Sequence, residues 1–542
     1  MKEKSKNEKL FSIILALLLF AFLGLVFYIN LSCNPEYYDG DIYNDINFAK
    51  EAWKAKSLFP ANWVFGNQTY VVATPILAAL LYGMIGNAVI AMAIASCIMT
   101  VLTVLTYEWM TRTLFSYNER TAGFLFLIGF LLLKAHVATS QQGLQAFFTM
   151  ASYYSCYLIT AFIVFGCYVR IRQKRFDKKH ISMLVIGAAL SFGTGMQSLR
   201  QTAVMVLPLV ACEILLIIIF SVRNKKIALS SSTAFSALIF LSNVAGLIAV
   251  KFIEFSQNSI YGSTSFRTDP VDLLKNIMYN IEYVALTFGL DSLKLIPRLI
   301  ASVPFLLIIL VGVVLCVKDF FKNGCRDQGV FTLVMLLILG CAGVFASGVL
   351  TELVGRALYY FMIYPLFSVC VSYILVKLGK RKNIAASAIA LLTAAMLVFR
   401  TVGAVGEIKK GKDENSTAHQ IADYMLENGY DTVVSVFGLS GVIDGAENVI
   451  IASGDKLHIV QFSRADGRLA LRPVEYLCVK DDYKNRDNSK SLYLLREYEL
   501  DKVGELAEKY GVTMTLKARF GEVYLYSLSE NLVELVAENG ET

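Results

Sequence analysis

The chain has 542 residues, of which 56% are hydrophobic and only 17% are charged, and its formal net charge is +7. Its mean hydropathy of +0.56 lies outside the range of ordinary soluble proteins. The composition therefore excludes a soluble enzyme and predicts a polytopic membrane protein. The positive charge is explained by lysines and arginines that anchor cytoplasmic loops, so we expect membrane lipids and no nucleic acid as partners.

Apolar segments close to the ~20 residues needed to cross a bilayer recur through most of the chain. We predict eleven spans, which cover residues 10–31, 87–110, 121–138, 151–169, 181–197, 201–221, 231–252, 297–317, 329–348, 357–377 and 383–404. If the N-terminus is cytoplasmic, basic clusters such as RIRQKRFDKKH and KLGKRK all lie on the cytoplasmic side of the membrane, as the positive-inside rule requires. We therefore expect a multi-pass protein of a bacterial plasma membrane, with its C-terminal segment outside the cytoplasm.

The first exterior loop, residues 32–86, has two parts of different character. Apolar side chains recur at spacings of four, three and four in residues 41–56, which predicts an amphipathic helix in the membrane interface. The run TYVVATPILAALLYGMIGN then contains Pro75. We interpret it as a second interfacial helix, because a further span would move RIRQKRFDKKH to the outside.

A second exterior loop, residues 253–296, contains YGSTSFRTDP and the amphipathic VDLLKNIMYNIEYVALTFGL. Loops of this length are usually functional or disordered, and the aromatic content of this one argues against disorder. We expect the two long loops to frame one face of the helix bundle.

The C-terminal segment differs from the rest in both charge and pattern. From residue 406 onward, 16 Lys and Arg stand against 24 Asp and Glu, a net charge of −8. The strand-like runs TVVSVF, KLHIVQF, EYLCVK and EVYLYSL alternate with helical patterns such as DKVGELAEKYG. We predict a membrane domain of residues 1–406 followed by a small extracytoplasmic α/β domain of residues 407–542.

Carboxylates cluster at the start of the first exterior loop. The motif DGDIYND holds Asp39, Asp41 and Asp45 beside three tyrosines, and Asp41 and Asp45 lie one helical turn apart. Solvated acids at a helix start are the simpler explanation in an arbitrary loop. The tryptophan- and proline-containing segment that follows favours a functional site.

Basic and aromatic residues at the exterior ends of spans are candidates for binding an anion. They are Arg200, Arg267, His136, and Arg356 with Tyr359. Arg200 lies in a tight turn between two predicted spans, and Arg356 has aromatic neighbours. An arginine in such a place can instead snorkel or pair with a carboxylate, and a boundary histidine often makes a single hydrogen bond.

The order of segments resembles the first exterior loop of the C-type glycosyltransferases. In this sequence a first span is followed by DGDIYNDINFAKEAW, then SLFP, then TPILAALLYGMIGN. GRALYYFMIYP is similar to a late span of the same family, and the many-span layout and trailing exterior domain are also similar. Members include protein O-mannosyltransferases, lipid A aminoarabinose transferases and oligosaccharyltransferase catalytic subunits.

The resemblance implies a membrane hexosyl- or pentosyltransferase that takes a sugar from a polyprenyl-phosphate donor. The sugar passes, with inversion, to a glycan, lipid or protein acceptor on the exterior face. An acidic residue of the motif is the implied general base, for which Asp41 matches best and Asp39 comes next. Some members use a divalent metal, so Asp39, Asp41 and Asp45 are the candidates for holding Mg²⁺ or Mn²⁺. No other cofactor is expected.

Elementary chemistry leads to the same assignment of roles. Attack on an anomeric carbon needs a carboxylate that removes the proton of the acceptor hydroxyl, and the departing phosphate needs a cation. We therefore predict that Asp45, Arg200, Arg267, Arg356, Tyr359 and His136 bind substrate.

Two other functions stay open. A transporter or flippase of a lipid-linked glycan predicts charged residues deep inside several spans, whereas the polar residues here gather at predicted exterior ends. A non-catalytic scaffold with an exterior binding domain predicts that the acids of the first loop are dispensable.

Overall fold

The computed structural model describes residues 6–32, 40–134, 144–149, 151, 154–173, 178–258, 265–290, 293–323, 328–353, 355–412, 416–436, 446–465, 468–484 and 486–539. Asp39 and His136, two of the predicted site residues, lie outside these ranges. Their predicted roles are therefore not addressed by the structure.

Helices dominate the described chain. They are α1 (Lys6–Ser32), α2 (Gly40–Ala55), α3 (Thr74–Ile85), α4 (Ala88–Thr111), α5 (Tyr117–Lys134), α6 (Leu144–Phe147), α7 (Ser155–Gln173), α8 (Lys178–Gln197), α9 (Leu199–Gln201), α10 (Leu207–Asn224), α11 (Ser231–Ala249), α12 (Pro270–Leu286), α13 (Leu295–Lys322), α14 (Gln328–Leu350), α15 (Ile363–Lys377), α16 (Lys382–Gly411), α17 (Thr417–Glu427), α18 (Ala446–Ala452), α19 (Glu497–Lys509) and α20 (Leu532–Glu538). Short 3₁₀ turns cover Val250–Phe252, Ala357–Tyr360, Gly379–Arg381 and Asn488–Lys490. A π-helical stretch, Thr202–Val206, joins α9 to α10.

The predicted membrane architecture is confirmed. Within the described ranges, nine stretches of helix are long and apolar enough to cross a membrane. The other two predicted spans also fall on helices, α5 and α8. Residues 135–138 of the predicted third span lie outside the residues that the structure describes.

The two helices predicted in the first exterior loop are present as α2 and α3, and their location in the membrane interface stays a prediction. Helix α2 buries Ile42, Ile46 and Ala49, the apolar face that the sequence pattern predicts. Helix α3 has a proline in its first turn and ends at Gly86, whose φ of 76° suits a left-handed cap. Trp53 of α2 lies directly over Gly83 of α3, so the two helices pack as a pair.

Helices α8 and α11 pack closely because glycines face backbone at their crossing. A methyl group added at Gly246 would collide with the carbonyl of Phe192, and one at Gly195 with the carbonyl of Asn243. Small residues let helix backbones approach in this way inside membranes. The crossing therefore fixes the end of α8, whose last residues line the cavity described below.

The C-terminal part contains a mixed sheet with helices on both faces. Its strands are β3 (Thr432–Val436), β4 (His458–Ala465), β5 (Arg468–Pro473), β7 (Ser491–Arg496), β8 (Met514–Phe520) and β9 (Val523–Leu528). The strand order is β5-β4-β3-β7-β9-β8, and β3 is parallel to both β4 and β7. One face packs against α19 and α20. The other face joins the core of the helical part through α17 and α18.

A small second sheet ties the C-terminal part to both long loops. Strand β1 (Trp63–Phe65) pairs in parallel with β2 (Ser256–Gln257) and antiparallel with β6 (Cys478–Val479). The run EYLCVK is strand-like, as predicted, but its strand belongs to this small sheet and not to the six-stranded sheet. Helix α16 continues to Gly411, past the predicted domain boundary at residue 406, which stays a prediction.

Gly246→Ala tests whether the helix crossing depends on close backbone approach. The added methyl group meets the Phe192 carbonyl, and we expect a loss of about 1–3 kcal/mol of stability, typical of overpacking. Thermal unfolding of the detergent-solubilised protein, followed by intrinsic fluorescence, measures this. Gly403→Ala in α16 is the control, because nothing lies within 4 Å of the added methyl group there. Equal melting temperatures for the two variants would show that the crossing of α8 and α11 does not depend on close backbone approach at Gly246.

Candidate functional site

A cavity of about 350 Å³ opens at the end of the bundle that carries the long loops. Its walls come from the junction of α8 with α9, from the loop after β1, from β2 and from the end of α14. Among the lining residues are Asn67, Thr69, Gln197, Arg200, Phe255, Ser347, Thr351 and Tyr359. The cavity is of the size that holds small ligands, ~300–1,000 Å³. Two predicted site residues, Arg200 and Tyr359, therefore meet in one cavity.

The guanidinium group of Arg200 lies among three tyrosine rings. Its central carbon is 4.9 Å from the ring centre of Tyr359, 5.6 Å from that of Tyr154 and 5.8 Å from that of Tyr157. Cys156 also lies within electrostatic reach of Arg200. A cation held by aromatic faces keeps its charge available for an anionic ligand.

The turn that carries Arg200 is held in place on both sides. The Ser198 hydroxyl accepts a hydrogen bond from the Arg200 backbone N–H at 3.1 Å. Directly after this turn comes the π-helical stretch, a form often found at functional sites. Just before this stretch the Gln201 side-chain amide donates to Thr160, and at its start the Thr202 hydroxyl donates to Asn243 at 2.7 Å. The position of Arg200 therefore follows from hydrogen bonds on α7 and α11.

Gln197 joins the end of α8 to the first long loop. Its side-chain oxygen accepts hydrogen bonds from the backbone N–H groups of Val71 and Val72, at 3.2 and 2.8 Å. Its own carbonyl accepts from the Thr69 N–H at 3.0 Å. This clamp brings Thr69 to the wall of the cavity and gives an irregular loop segment the hydrogen bonds it needs near the membrane.

The two described acids of the motif lie in different environments on α2. Asp41 is partly exposed, whereas Asp45 is buried and hydrogen-bonded to the Tyr70 hydroxyl. Burial, followed by the charge and hydrogen bond of Asp45, raises the pKa of Tyr70 well above its ordinary value. Tyr70 therefore stays protonated and donates to Asp45. Of these two carboxylates, Asp41 is the more accessible to a substrate.

The described acids of α2 are not part of the cavity wall. Neither Asp41 nor Asp45 lines it, and Tyr70 follows the lining residue Thr69 in the chain. Both Arg200 and Asp45 act electrostatically on Cys156. The structure thus gathers Arg200, Tyr359 and the α2 acids at one end of the bundle.

Arg267 and Arg356 are at the border of this region. The Arg267 Nε–H donates to the carbonyl of Thr351 at 2.7 Å, so this side chain joins the second loop to the end of α14. Arg356 is exposed and acts electrostatically on Tyr154. Of these two arginines, Arg356 is placed to add positive charge beside the tyrosine cage, the rings of Tyr154, Tyr157 and Tyr359 around Arg200.

Several residues around the cavity were not predicted from the sequence. Tyr154, Tyr157, Tyr70 and Gln197 were not singled out, although Tyr154 and Tyr157 lie three residues apart, as neighbours on one helical face do. That spacing, at the start of a predicted span, was the available signal. Apolar context concealed it, because aromatic residues are also common in spans.

The carboxylates were also metal candidates. Within the described part of the chain, no group of three or more His, Cys, Asp or Glu side chains is arranged to hold a metal ion. Asp39, the third candidate ligand, lies outside that part. The metal prediction therefore stays a prediction.

Comparisons with known proteins give the fold. No family model and no curated protein matches the chain. Among solved structures, ArnT from Cupriavidus metallidurans bound to undecaprenyl phosphate matches with a TM-score of 0.53 and 12% identity, covering 96% of this chain and 98% of that one. The apo structure of ArnT matches with a TM-score of 0.43 and 12% identity, covering 98% and 99%. The chain therefore has the fold of ArnT, a C-type glycosyltransferase, as the order of segments in its first long loop predicted.

Proposed function

We propose that this membrane protein is a glycosyltransferase that moves a sugar, with inversion, from a polyprenyl-phosphate donor to an acceptor. The observation that carries the proposal is Arg200, whose guanidinium group lies among three tyrosine rings in the wall of a cavity. The shared fold supports it, because the ArnT crystal structure matched over nearly the full chain contains undecaprenyl phosphate.

The cavity suits the phosphate end of a lipid donor. Arg200 offers a fork of N–H donors that matches phosphate oxygens. Apolar side chains, including Leu247, Val250 and Val344, line another part of the same cavity. We assign the phosphate to Arg200, with Arg356 as a second source of positive charge, and His136 stays a further candidate. The mixed lining lets one site meet both a charged headgroup and the start of an apolar chain.

The chemistry then divides between Asp41 and Arg200. We assign Asp41, or Asp39 two residues before it, as the base that takes the proton of the acceptor hydroxyl. The hydroxyl oxygen bonds to the anomeric carbon while the bond from that carbon to the phosphate oxygen breaks. The negative charge that develops on the phosphate is stabilised by Arg200. Asp45 accepts a hydrogen bond from Tyr70 and so fixes α2 relative to the loop segment that lines the cavity.

The protein's surroundings follow from the same proposal. We place the loop end of the bundle on the extracytoplasmic side of a bacterial plasma membrane. A divalent metal at the motif acids would require Asp39 together with Asp41 or Asp45. The acceptor is a glycan, lipid or protein that approaches from water.

Asp41→Asn is expected to lower turnover by about 10²–10⁴-fold, the usual contribution of a general base. Asp39→Asn and the double variant decide which acid acts. Release of free polyprenyl phosphate from a panel of polyprenyl-phosphate sugars measures turnover. Asp272→Asn is the matched control, since Asp272 lies half-exposed on α12. Undiminished turnover in the double variant would overturn the assignment of the base.

Arg200→Gln is expected to weaken binding of undecaprenyl phosphate by about 10- to 100-fold, because hydrogen bonds to charged groups are worth about 1.5–3 kcal/mol. Arg200→Lys should fall between Gln and wild type, since it keeps the charge but loses the fork. Titration of the purified protein with undecaprenyl phosphate measures the Kd. Arg519→Gln is the control, because Arg519 also lies over a tyrosine ring, 4.7 Å from the centre of Tyr524, in the C-terminal sheet. Equal Kd values for the two glutamine variants would contradict the phosphate site.

A further inference from the structure

Helix α12, which belongs to the second long loop, is not a span. Its 17 residues include Asp272, Lys275 and Glu282. Crossing a bilayer takes about 20 predominantly apolar residues, so α12 is both too short and too polar. The helix therefore lies beside the spans, and its faces indicate what surrounds it.

The inner face of α12 packs against α14 and against the 3₁₀ turn Ala357–Tyr360. Asn280 is only 2% exposed, and its side-chain oxygen accepts a hydrogen bond from the Tyr360 hydroxyl at 2.6 Å. Thr287, directly after the helix, donates its hydroxyl to the first carbonyl of the turn at 3.3 Å. These contacts hold α12 to the turn that carries Tyr359.

The opposite face of α12 carries a stripe of exposed apolar side chains, spaced three, four and three residues apart. The members of this apolar stripe are Val271, Leu274, Met278 and Ile281, each 52–62% exposed. At 3.6 residues per turn the stripe points about half a turn away from Asn280. A continuous apolar surface of this kind is rarely left to water and usually marks contact with a partner or a membrane.

Charged residues occupy one flank of α12, between the inner face and the apolar stripe. Asp272 and Lys275 lie there, 3.6 Å apart, with at least half of each side chain exposed. The helical spacing places Glu282 on the same flank. A helix at a membrane surface has this arrangement, with apolar side chains toward the acyl chains and charged ones toward water.

The stripe lies next to a surface that faces lipid. Only residues 287–294 separate α12 from the span α13, and the two helices pack against each other. Exposed apolar side chains recur along α13 at spacings of four, three and four, at Ile296, Ile300, Val303 and Leu307. That pattern is expected of a span with one side in lipid. The apolar stripe continues this surface, which favours lipid as its partner.

We propose that α12 lies on the membrane surface with its apolar stripe in contact with lipid, and that this contact holds the turn of Tyr359 in place. The lipid contact does not depend on the function proposed above. Its consequence for Tyr359 rests on that function, because Tyr359 is one of the three rings around Arg200, to which we assign the donor phosphate.

Cysteine variants in nanodiscs that hold one protein each test the lipid contact. Lys275 and Met278 are exposed to a similar degree in the protein. A charged, membrane-impermeant maleimide should nevertheless react with Met278→Cys at least tenfold more slowly than with Lys275→Cys, because lipid covers only the stripe. Peptide mass spectrometry measures the label at each position, so native cysteines do not interfere. Equal rates would overturn the proposal.

Quenching by lipid separates lipid from protein as the material that covers the stripe. Bimane is attached to each variant in detergent, before the protein enters the discs. In discs of doxyl-labelled lipid, bimane at position 278 should lose at least half of its fluorescence, and bimane at position 275 much less. Slow labelling without quenching would mean that protein covers the stripe, and protection seen only in discs with two copies would assign it to a second copy. Either result would overturn the proposal.

Binding of undecaprenyl phosphate in the same discs tests the link to Tyr359. Leu274→Glu places a charge in the apolar stripe and should raise the Kd at least fivefold, because it draws α12 away from lipid. Lys275→Gln is the matched control, since it changes the net charge by the same one unit on the flank that faces water, and its Kd should stay within twofold of wild type. Tyr360→Phe removes the hydrogen bond to Asn280 but keeps the stripe, and should also weaken binding.

The outcomes separate this inference from the proposed function. Leu274 is 62% exposed, so Leu274→Glu should melt in detergent at the wild-type temperature. An unchanged Kd in Leu274→Glu would overturn the link to Tyr359 and leave the proposed function standing. A wild-type protein that does not bind undecaprenyl phosphate would contradict the proposed function, and the labelling and quenching would still decide the lipid contact.

Discussion

The arrangement of the loop end depends on a small sheet made from distant parts of the chain. Strand β1 of the first loop pairs with β2 of the second loop and with β6 of the C-terminal part. A backbone segment near a membrane must find partners for its polar groups, and this ladder supplies them. Val64 of the first loop lies opposite Ser256 of the second loop on one side and opposite Cys478 of the C-terminal part on the other. This pairing fixes the two loops relative to one another. Without that pairing the wall of the first cavity, which includes Gln257, would lose its alignment with Arg200.

Two half-buried arginines, Arg172 and Arg200, have different kinds of neighbours. Arg172 pairs with the buried Glu213 at 2.9 Å, and Ser232 and Gln328 complete its hydrogen bonds. That charge is therefore neutralised within the protein, as expected for a buried ion pair. Arg200 instead has tyrosine rings around it. The contrast favours ligand binding at Arg200 and a structural role at Arg172. It also argues against the transporter alternative, because Glu213, an acid within a span, is already satisfied.

The sequence predicted the elements whose signals are local. Apolar runs located the spans, and apolar spacing located α2, because both depend on neighbouring residues in one helix. The pairing partner of Cys478–Val479 could not be predicted, since β1 lies more than four hundred residues away and a short strand looks the same in either sheet. The tyrosine cage was missed for a related reason. Tyr154 and Tyr157 become significant only when folding brings Arg200 beside them.

Helix α2 is the element through which these regions act on one another. One face carries Asp41 and Asp45, and Asp45 is held by Tyr70 of the first loop. The other face carries Lys50, which pairs with Asp455 of the C-terminal part. Because a helix turns as a rigid body, any shift of the C-terminal part that moves Lys50 also moves Asp41 relative to Arg200. A contact that holds α2 against the C-terminal part therefore also limits the motion of Asp41 relative to Arg200.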